Sequence, residues 1–144
     1  MPVVSAEASL AAQPQRAYEF LTDMESFPRF MDSVERVTVL ERWEGGSRSD
    51  WTVRIKGGRF RWVEVDRFDP AGLRIEFQQV QGDLRRFQGD WQVIPRGGGA
   101  TVRLTVDFEF GLPMLAPLLN PVAALAIRSN CASMVEGIEK ALGA

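Results

Sequence analysis

Turn-forming residues recur at nearly even intervals through the middle of the chain: Gly45-Gly46, Gly57-Gly58, Asp69-Pro70-Ala71-Gly72, Gly82-Asp83 and Gly97-Gly98-Gly99. Between them, apolar and polar residues alternate with the period-two pattern of half-buried strands. Residues from about Ser33 to Phe110 therefore read as a meander of six strands. Gly97 to Gly99 precedes a strand rather than a helix, which makes it a turn and not a phosphate cradle. Upstream, the pattern predicts a strand over Val3 to Leu10, a helix from about Pro14 to Asp23 and a second short helix over Glu25 to Met31. Proline suits a first helical turn, where its missing N–H has no helical partner. Downstream, Pro121 to Leu142 reads as an amphipathic helix. Leu119, Ala123, Ile127, Asn130, Met134, Ile138 and Ala141 share one side, and Arg128, Glu136, Glu139 and Lys140 the other. The expected fold class is α+β in the order β-α-α-β6-α, one domain over residues 1–144, with a curved antiparallel sheet wrapped on the long C-terminal helix.

The turns set the register, and the register sets which residues share a face. With Gly57-Gly58 as a two-residue hairpin turn, Ile55 opposes Phe60, Val53 opposes Trp62 and Trp51 opposes Glu64. The other face carries Lys56 with Arg59 and Arg54 with Arg61. Across Asp69 to Gly72, Phe68 meets Leu73, Asp66 meets Ile75, Glu64 meets Phe77 and Trp62 meets Gln79. In the next pair Phe77 faces Phe87, Ile75 faces Gly89 and Leu73 faces Trp91. The last strand turns Val102, Leu104, Val106, Phe108 and Phe110 inward and Arg103, Thr105, Asp107 and Glu109 outward. The inner face thus gathers Trp51, Phe60, Trp62, Phe77, Phe87, Trp91 and Phe108, and Phe20, Phe27 and Phe30 from the N-terminal helices can close one end. These rings either fill a core beneath the helix or line a ligand cavity, since pockets are largely apolar with a few polar groups. The pattern alone leaves both open.

Three inner-face residues break the apolar rule, namely Glu64, Asp66 and Gln79, and Asn130 does so from the helix. An isolated buried carboxylate is expensive unless paired, hydrogen-bonded or protonated. Residues two apart on a strand project to the same side, roughly 6–7 Å apart, so Glu64 and Asp66 should be neighbours. Either a β-bulge turns them out to a wet rim beside Arg85, or they form a polar wall within an apolar pocket.

What the chain lacks narrows its chemistry. It has no histidine, which removes Ser-His and Cys-His catalysis, His-based metal sites and the commonest general base near neutral pH. No metal and no cofactor is expected. Cys131 is the one cysteine, so no intrachain disulfide can form and a reducing cytoplasm is the expected location. Within its helical apolar pattern it reads as a small core residue rather than a nucleophile. A net charge of −2 gives no electrostatic reason to expect nucleic acid or an anionic membrane. Met1 to Leu10 lacks the basic-then-apolar order of a signal peptide. Leu112 to Ile127 is broken by Pro113, Pro117, Asn120 and Pro121 and falls short of the roughly 20 apolar residues of a membrane span.

Three stretches resemble the polyketide cyclase/dehydrase and lipid-transport superfamily of START-like helix-grip domains. They are Ala17-Tyr18-Glu19-Phe20-Leu21-Thr22-Asp23-Met24-Glu25-Ser26-Phe27-Pro28-Arg29-Phe30, Gly82-Asp83-Leu84-Arg85-Arg86-Phe87-Gln88-Gly89-Asp90-Trp91, and Val106-Asp107-Phe108-Glu109-Phe110 with the proline-rich approach to the last helix. The resemblance implies an internal cavity for an apolar molecule, whether polyketide, quinone or lipid-like. Two branches look nearest. One comprises the aromatase/cyclases, which promote aldol closure and dehydration of a poly-β-keto chain, with an acyl carrier protein as a partner. The other comprises the coenzyme-Q-binding and ribosome-association-toxin proteins. The cyclases are held to polarise carbonyls with inward arginines of the fourth and fifth strands, positions filled here by Asp66 and Gln79. Their aromatic cavity positions correspond in kind to Phe27, Phe60, Trp62, Phe87 and Trp91. The resemblance and the inner-face pattern together name Phe27, Phe30, Trp51, Phe60, Trp62, Phe77, Gln79, Phe87, Trp91, Phe108, Asn130 and Met134 as candidate ligand contacts. Glu64 and Asp66 are the candidate catalytic groups, one as enolising base. A basic outer stripe of Arg54, Lys56, Arg59, Arg61 and Arg67 offers a weaker indication of an interaction at the ribosome.

Overall fold

The computed structural model describes residues 3–55, 58–109 and 116–143, with the backbone alone over 116–123. Strand β1 (Val3–Leu10) leads into helix α1 (Pro14–Thr22) and a 3-10 helix over Met24–Arg29. Six strands follow, β2 (Val34–Trp43), β3 (Gly46–Ile55), β4 (Gly58–Asp69), β5 (Arg74–Gly82), β6 (Arg86–Arg96) and β7 (Gly99–Glu109), and helix α2 (Ala116–Leu142) ends the chain. The element order is the one the turn spacing predicts. Several helix boundaries differ. The second short helix is a 3-10 segment that starts at Met24, and α2 begins at Ala116 rather than Pro121. Pro117 thereby falls in the first turn, where a missing N–H is harmless. The predicted inward positions of Phe110, Leu119 and Ala123, and the outward position of Lys56, lie outside the described residues and side chains.

The strands form one antiparallel sheet in the order β1-β7-β6-β5-β4-β3-β2. Its pairing departs from the expected register in a regular way. Trp51 pairs with Trp62 and Val53 with Phe60; Phe68 pairs with Ile75 and Asp66 with Phe77; Ile75 pairs with Trp91 and Phe77 with Gly89. Each hairpin is slid by two residues from the prediction. The β3–β4 slide arises because Ile55 pairs with Gly58, so Gly58 opens a strand rather than sitting in the turn. The β4–β5 slide arises because Asp69 pairs with Arg74. The connection is then Pro70 to Leu73, with Leu73 in the left-handed region at φ 54°. An even slide exchanges partners and preserves faces, since the side-chain period is two. Trp51, Trp62, Ile75, Phe77, Trp91, Val102, Leu104, Val106 and Phe108 are accordingly buried. Arg54, Arg61, Arg74 and Arg103 lie on the other face, exposed or half-buried and ion-paired.

Curvature has a local cause. A Cβ on Gly89 would stand 1.9 Å from the Thr105 carbonyl oxygen and 3.1 Å from Phe77 Cζ. Only glycine lets β6 close this tightly on β7 while Phe77 crosses beneath it. The sheet wraps so that α2 packs closely on β1, touches β7 and β3, and stands off β4, β5 and β6. At the far edge, Glu25 Oε2 accepts the Val39 N–H at 2.8 Å, which occupies a backbone donor on an otherwise open strand. Replacing Gly89 with alanine should lower the unfolding free energy by about 1–3 kcal/mol, the usual effect of overpacking, measured by urea denaturation. A variant as stable as the parent would remove this account of the bend.

Candidate binding cavity

Where α2 stands off the sheet, aromatic side chains fill the gap. Trp51 and Trp62, neighbours across β3 and β4, stack with centroids 5.8 Å apart and planes within 7°. Phe87 lies against Trp62 at 4.7 Å and against Phe77 at 5.8 Å. Phe27, fully buried on the 3-10 helix, meets the edges of both Trp51 and Trp91 at 5.8 Å. Between these rings and α2 is a cavity lined by Trp51, Ile55, Phe60, Trp62, Glu64, Phe77, Phe87, Trp91, Leu104, Val106, Ile127, Asn130, Cys131 and Met134. Its volume is about 30 Å³, room for a water or two, whereas ligand pockets run to roughly 300–1,000 Å³.

Nine of the fourteen residues singled out from the sequence line this space: Trp51, Phe60, Trp62, Glu64, Phe77, Phe87, Trp91, Asn130 and Met134. The others are placed elsewhere. Phe27 and Phe108 are buried behind the lining. Phe30, which caps the 3-10 segment, is 39% exposed and lies tilted against Phe20 at 5.4 Å, outside the cavity. Gln79 sits where β4 and β5 slip register, and its side-chain amide donates to the Leu84 carbonyl. The pairing scheme assumed uniform strands and could not foresee that bulge. Asp66, two residues along β4 from Glu64, is fully buried and does not line the space. Ile55, Leu104, Val106, Ile127 and Cys131 complete the lining; their inward parity was readable, but their approach to the cavity depends on the path of α2.

Glu64 and Asp66 do not turn out to a wet rim. They are 3% and 0% exposed, and the strand alternation that places Trp62 inward places them beside it. Glu64 Oε1 accepts the Trp62 indole N–H at 2.8 Å. Asp66 Oδ2 accepts the Ser49 hydroxyl at 2.8 Å and the Ser47 hydroxyl at 3.2 Å, and Ser49 Oγ accepts the Trp51 indole N–H at 2.8 Å. Sequence reasoning missed both serines, which the actual β3–β4 register puts opposite the two carboxyl groups. Burial, then the Asp66 charge and a hydrogen bond to Asp66, hold the Glu64 carboxyl well above the usual carboxylate range. Burial also raises Asp66, while its bonds from Glu64, Ser49 and Ser47 oppose that rise. Asp66 Oδ1 is buried without a hydrogen-bond partner, an open acceptor near the Glu64 carboxyl. Both shifts favour the protonated form, that of Glu64 the more strongly, and Glu64 is the one that faces the cavity. Cys131 lines the same space, but burial pushes its thiol up to about 12, so it is a neutral wall atom and not a nucleophile.

The four described arginines of the basic outer stripe are each ion-paired, some of them sharing one carboxylate, and Lys56 lies outside the described residues. Arg54 and Arg59 share Glu35, Arg61 binds Asp50 at 2.9 Å and Arg67 binds Glu76 at 3.2 Å. Among the described residues no cluster of His, Cys, Asp or Glu could hold a metal ion, and no helix is long and apolar enough to cross a membrane.

A family model for polyketide cyclase / dehydrase and lipid transport matches residues 10–135. Among curated proteins, the ribosome association toxin RatA of Pseudomonas aeruginosa is 26% identical over 117 residues, 80% of this chain and 81% of its own. Among solved structures, TTHA0849 from Thermus thermophilus superposes with a TM-score of 0.92 at 31% identity, covering 98% of this chain and 97% of its own. The Zhui aromatase/cyclase from Streptomyces sp. R1128 superposes with a TM-score of 0.88 at 18% identity, over 97% of this chain and 92% of its own, a likeness of fold.

A raised carboxyl pKa sets the sign of a pH dependence. Glu64 binds its proton more tightly folded than unfolded, so stability is highest below its unfolded value near 4.5 and declines as pH rises toward the folded value. The parent Tm should therefore fall across that range. Glu64→Gln, which still accepts from Trp62 and donates to Asp66, should flatten the decline and match or exceed the parent at neutral pH. Thermal melts at several pH values test this, and parallel curves for the two proteins would contradict it.

Proposed function

Because this chain belongs to the polyketide cyclase / dehydrase and lipid transport family, we propose that it binds a planar, apolar, carbonyl-bearing small molecule between the sheet and α2. One observation carries this reading: Glu64, whose carboxyl is biased toward its protonated form by burial and by Asp66, faces a largely aromatic and aliphatic wall. A filled core gains nothing from a buried carboxyl pair, which desolvation makes costly. A ligand carbonyl is the natural partner for a neutral acid in such a wall, and flat rings are the natural partner for Trp51, Trp62 and Phe87.

A second reading is favoured by the pair itself. With its proton, Glu64 is an acid that can donate to a carbonyl or hydroxyl oxygen. If the proton passes to Asp66 Oδ1, Glu64 becomes a carboxylate that can accept an α-proton from a bound ketone. That is the acid–base capacity that aldol closure and dehydration need. Only Glu64 reaches the cavity, so it is the candidate catalytic residue and Asp66 is a positioning residue beside it. The arginines of the outer stripe are already ion-paired, so the stripe adds little to the reading of an interaction at the ribosome.

The probe for both readings is 2-acetylnaphthalene, a flat aromatic ketone. It should raise the parent Tm and quench tryptophan fluorescence. Trp91→Ala should weaken it by about 1–3 kcal/mol through lost ring burial. Glu64→Leu should weaken it about tenfold through the lost hydrogen bond, and Glu64→Gln, still a donor, should bind within a few-fold of the parent. No thermal shift with this ketone, a quinone, a polyketide mimic or a fatty acid would mean that the interior is a plain core. For the enzymatic reading, turnover of a poly-ketone by the parent and its loss in Glu64→Gln is the expected result; undiminished turnover in that variant would end it.

A further inference from the structure

Beside the cavity, on the other flank of Asn130, lies a separate recess of about 210 Å³ between α2 and the C-terminal end of β3. Ser33, Arg54, Ile55, Ala126, Ser129, Asn130 and Ser133 form it. Ala126, Ser129, Asn130 and Ser133 make one stripe of α2 at spacings of three and four, so small side chains hold the gap open. Ile127, Asn130, Cys131 and Met134 make the adjacent stripe, which faces the cavity. Asn130 and Ile55 belong to both spaces. Unlike the cavity, the recess is polar, and two of the residues that form it, both partly exposed, each carry an oxygen without a partner. Ser33 Oγ and Asn130 Oδ1 are buried without a hydrogen-bond partner, and the Asn130 amide nitrogen has only the Met134 sulfur at 3.5 Å. Buried polar atoms of this kind are rarely left unpaired in a finished site. The Arg54 guanidinium, at the rim, is already committed to Glu35 and to the Asp32 carbonyl.

We infer that this recess is a polar subsite for the same ligand and takes a hydroxyl group carried at a distance from the ligand's carbonyl. A hydroxyl both donates and accepts, so it can satisfy the Asn130 amide in either orientation and the Ser33 hydroxyl as well. A carboxylate would find no uncommitted cation among the described recess residues, and an apolar end would leave the two oxygens unpaired. The inference rests on the cavity reading and narrows it: the ligand is a hydroxy-substituted aromatic ketone or quinone, with its carbonyl at Glu64 on the sheet wall and its hydroxyl at Asn130 on the helix wall.

A matched pair of probes tests it, namely 2-acetylnaphthalene and 6-hydroxy-2-acetylnaphthalene, with Kd read from quenching of tryptophan fluorescence. In the parent, the hydroxyl should tighten binding roughly tenfold, as a hydrogen bond to an otherwise unpaired buried group does. In Asn130→Leu and, independently, Ser33→Ala, the ratio between the two probes should fall to within about twofold. Thermal melts confirm that each variant is folded, and the Ser33→Ala arm stands if the helix variant is not. Equal binding of the two probes by the parent, or an undiminished ratio in both variants, overturns the subsite and leaves the cavity standing. Failure of both probes to bind overturns the cavity and the subsite together.

Discussion

Helix α2 meets the sheet over β1 and stands off it over β4, β5 and β6, and the filling of that widening gap governs the rest of the molecule. A gap under a helix must be occupied, because unfilled space forfeits dispersion contacts and burial. The chain fills it from the sheet side with large rings and from the helix side with Ile127, Cys131 and Met134. The rings brace one another, with Phe27 wedged edge-on against Trp51 and Trp91 and Trp51 stacked on Trp62. Gly89 is the backbone counterpart, since a side chain there would strike the Thr105 carbonyl and straighten the sheet that makes the gap.

The same low-dielectric filling explains why Glu64 and Asp66 behave as one unit. Neither can ionise cheaply beside the other in such surroundings. The nearby donors are unevenly shared: two serine hydroxyls serve Asp66, and one indole N–H serves Glu64. Hydrogen bonds to a carboxylate favour its charged form. Asp66 is therefore the better place for a negative charge and Glu64 for a proton, and the group presented to the cavity is the one biased toward its neutral form. Ser49 links this arrangement to the rings through its bond from Trp51.

Much of this was legible in the sequence because its period is robust. The three hairpins are each slid by two residues from the expected pairing, yet Trp51, Trp62, Phe77 and Trp91 all face inward. Parity survives an even slip, whereas partner identity does not, so Ser47 and Ser49 could not be assigned to the carboxyl pair beforehand. Local departures from regular geometry were illegible for the same reason. The β4–β5 bulge took Gln79 out of the cavity lining, and Phe30, at the end of the 3-10 segment, lies outside against Phe20. The recess beside Asn130 depends on how α2 crosses the end of β3, a tertiary relation that no periodicity encodes.

A cavity of about 30 Å³ cannot hold a flat bicyclic molecule, so binding requires that some lining side chains move. The sheet wall is poorly suited to yield: Trp51, Trp62 and Trp91 are buried and braced by ring contacts, and two indole nitrogens are hydrogen-bonded. The helix wall is held less firmly. Met134 is unbranched with several rotatable bonds and adapts to shape readily, and its polar contact is the long one from Asn130. Phe60 and Phe87 are only partly buried, so their rings have space to turn. Asn130 and Ile55 are the residues that cavity and recess have in common. A shift of Met134 and Asn130 would join the two spaces and add volume where the wall is polar and its hydrogen bonding incomplete. The ligand's own hydroxyl would then supply the missing partners, which makes the widened state one that the ligand completes rather than one the empty protein maintains.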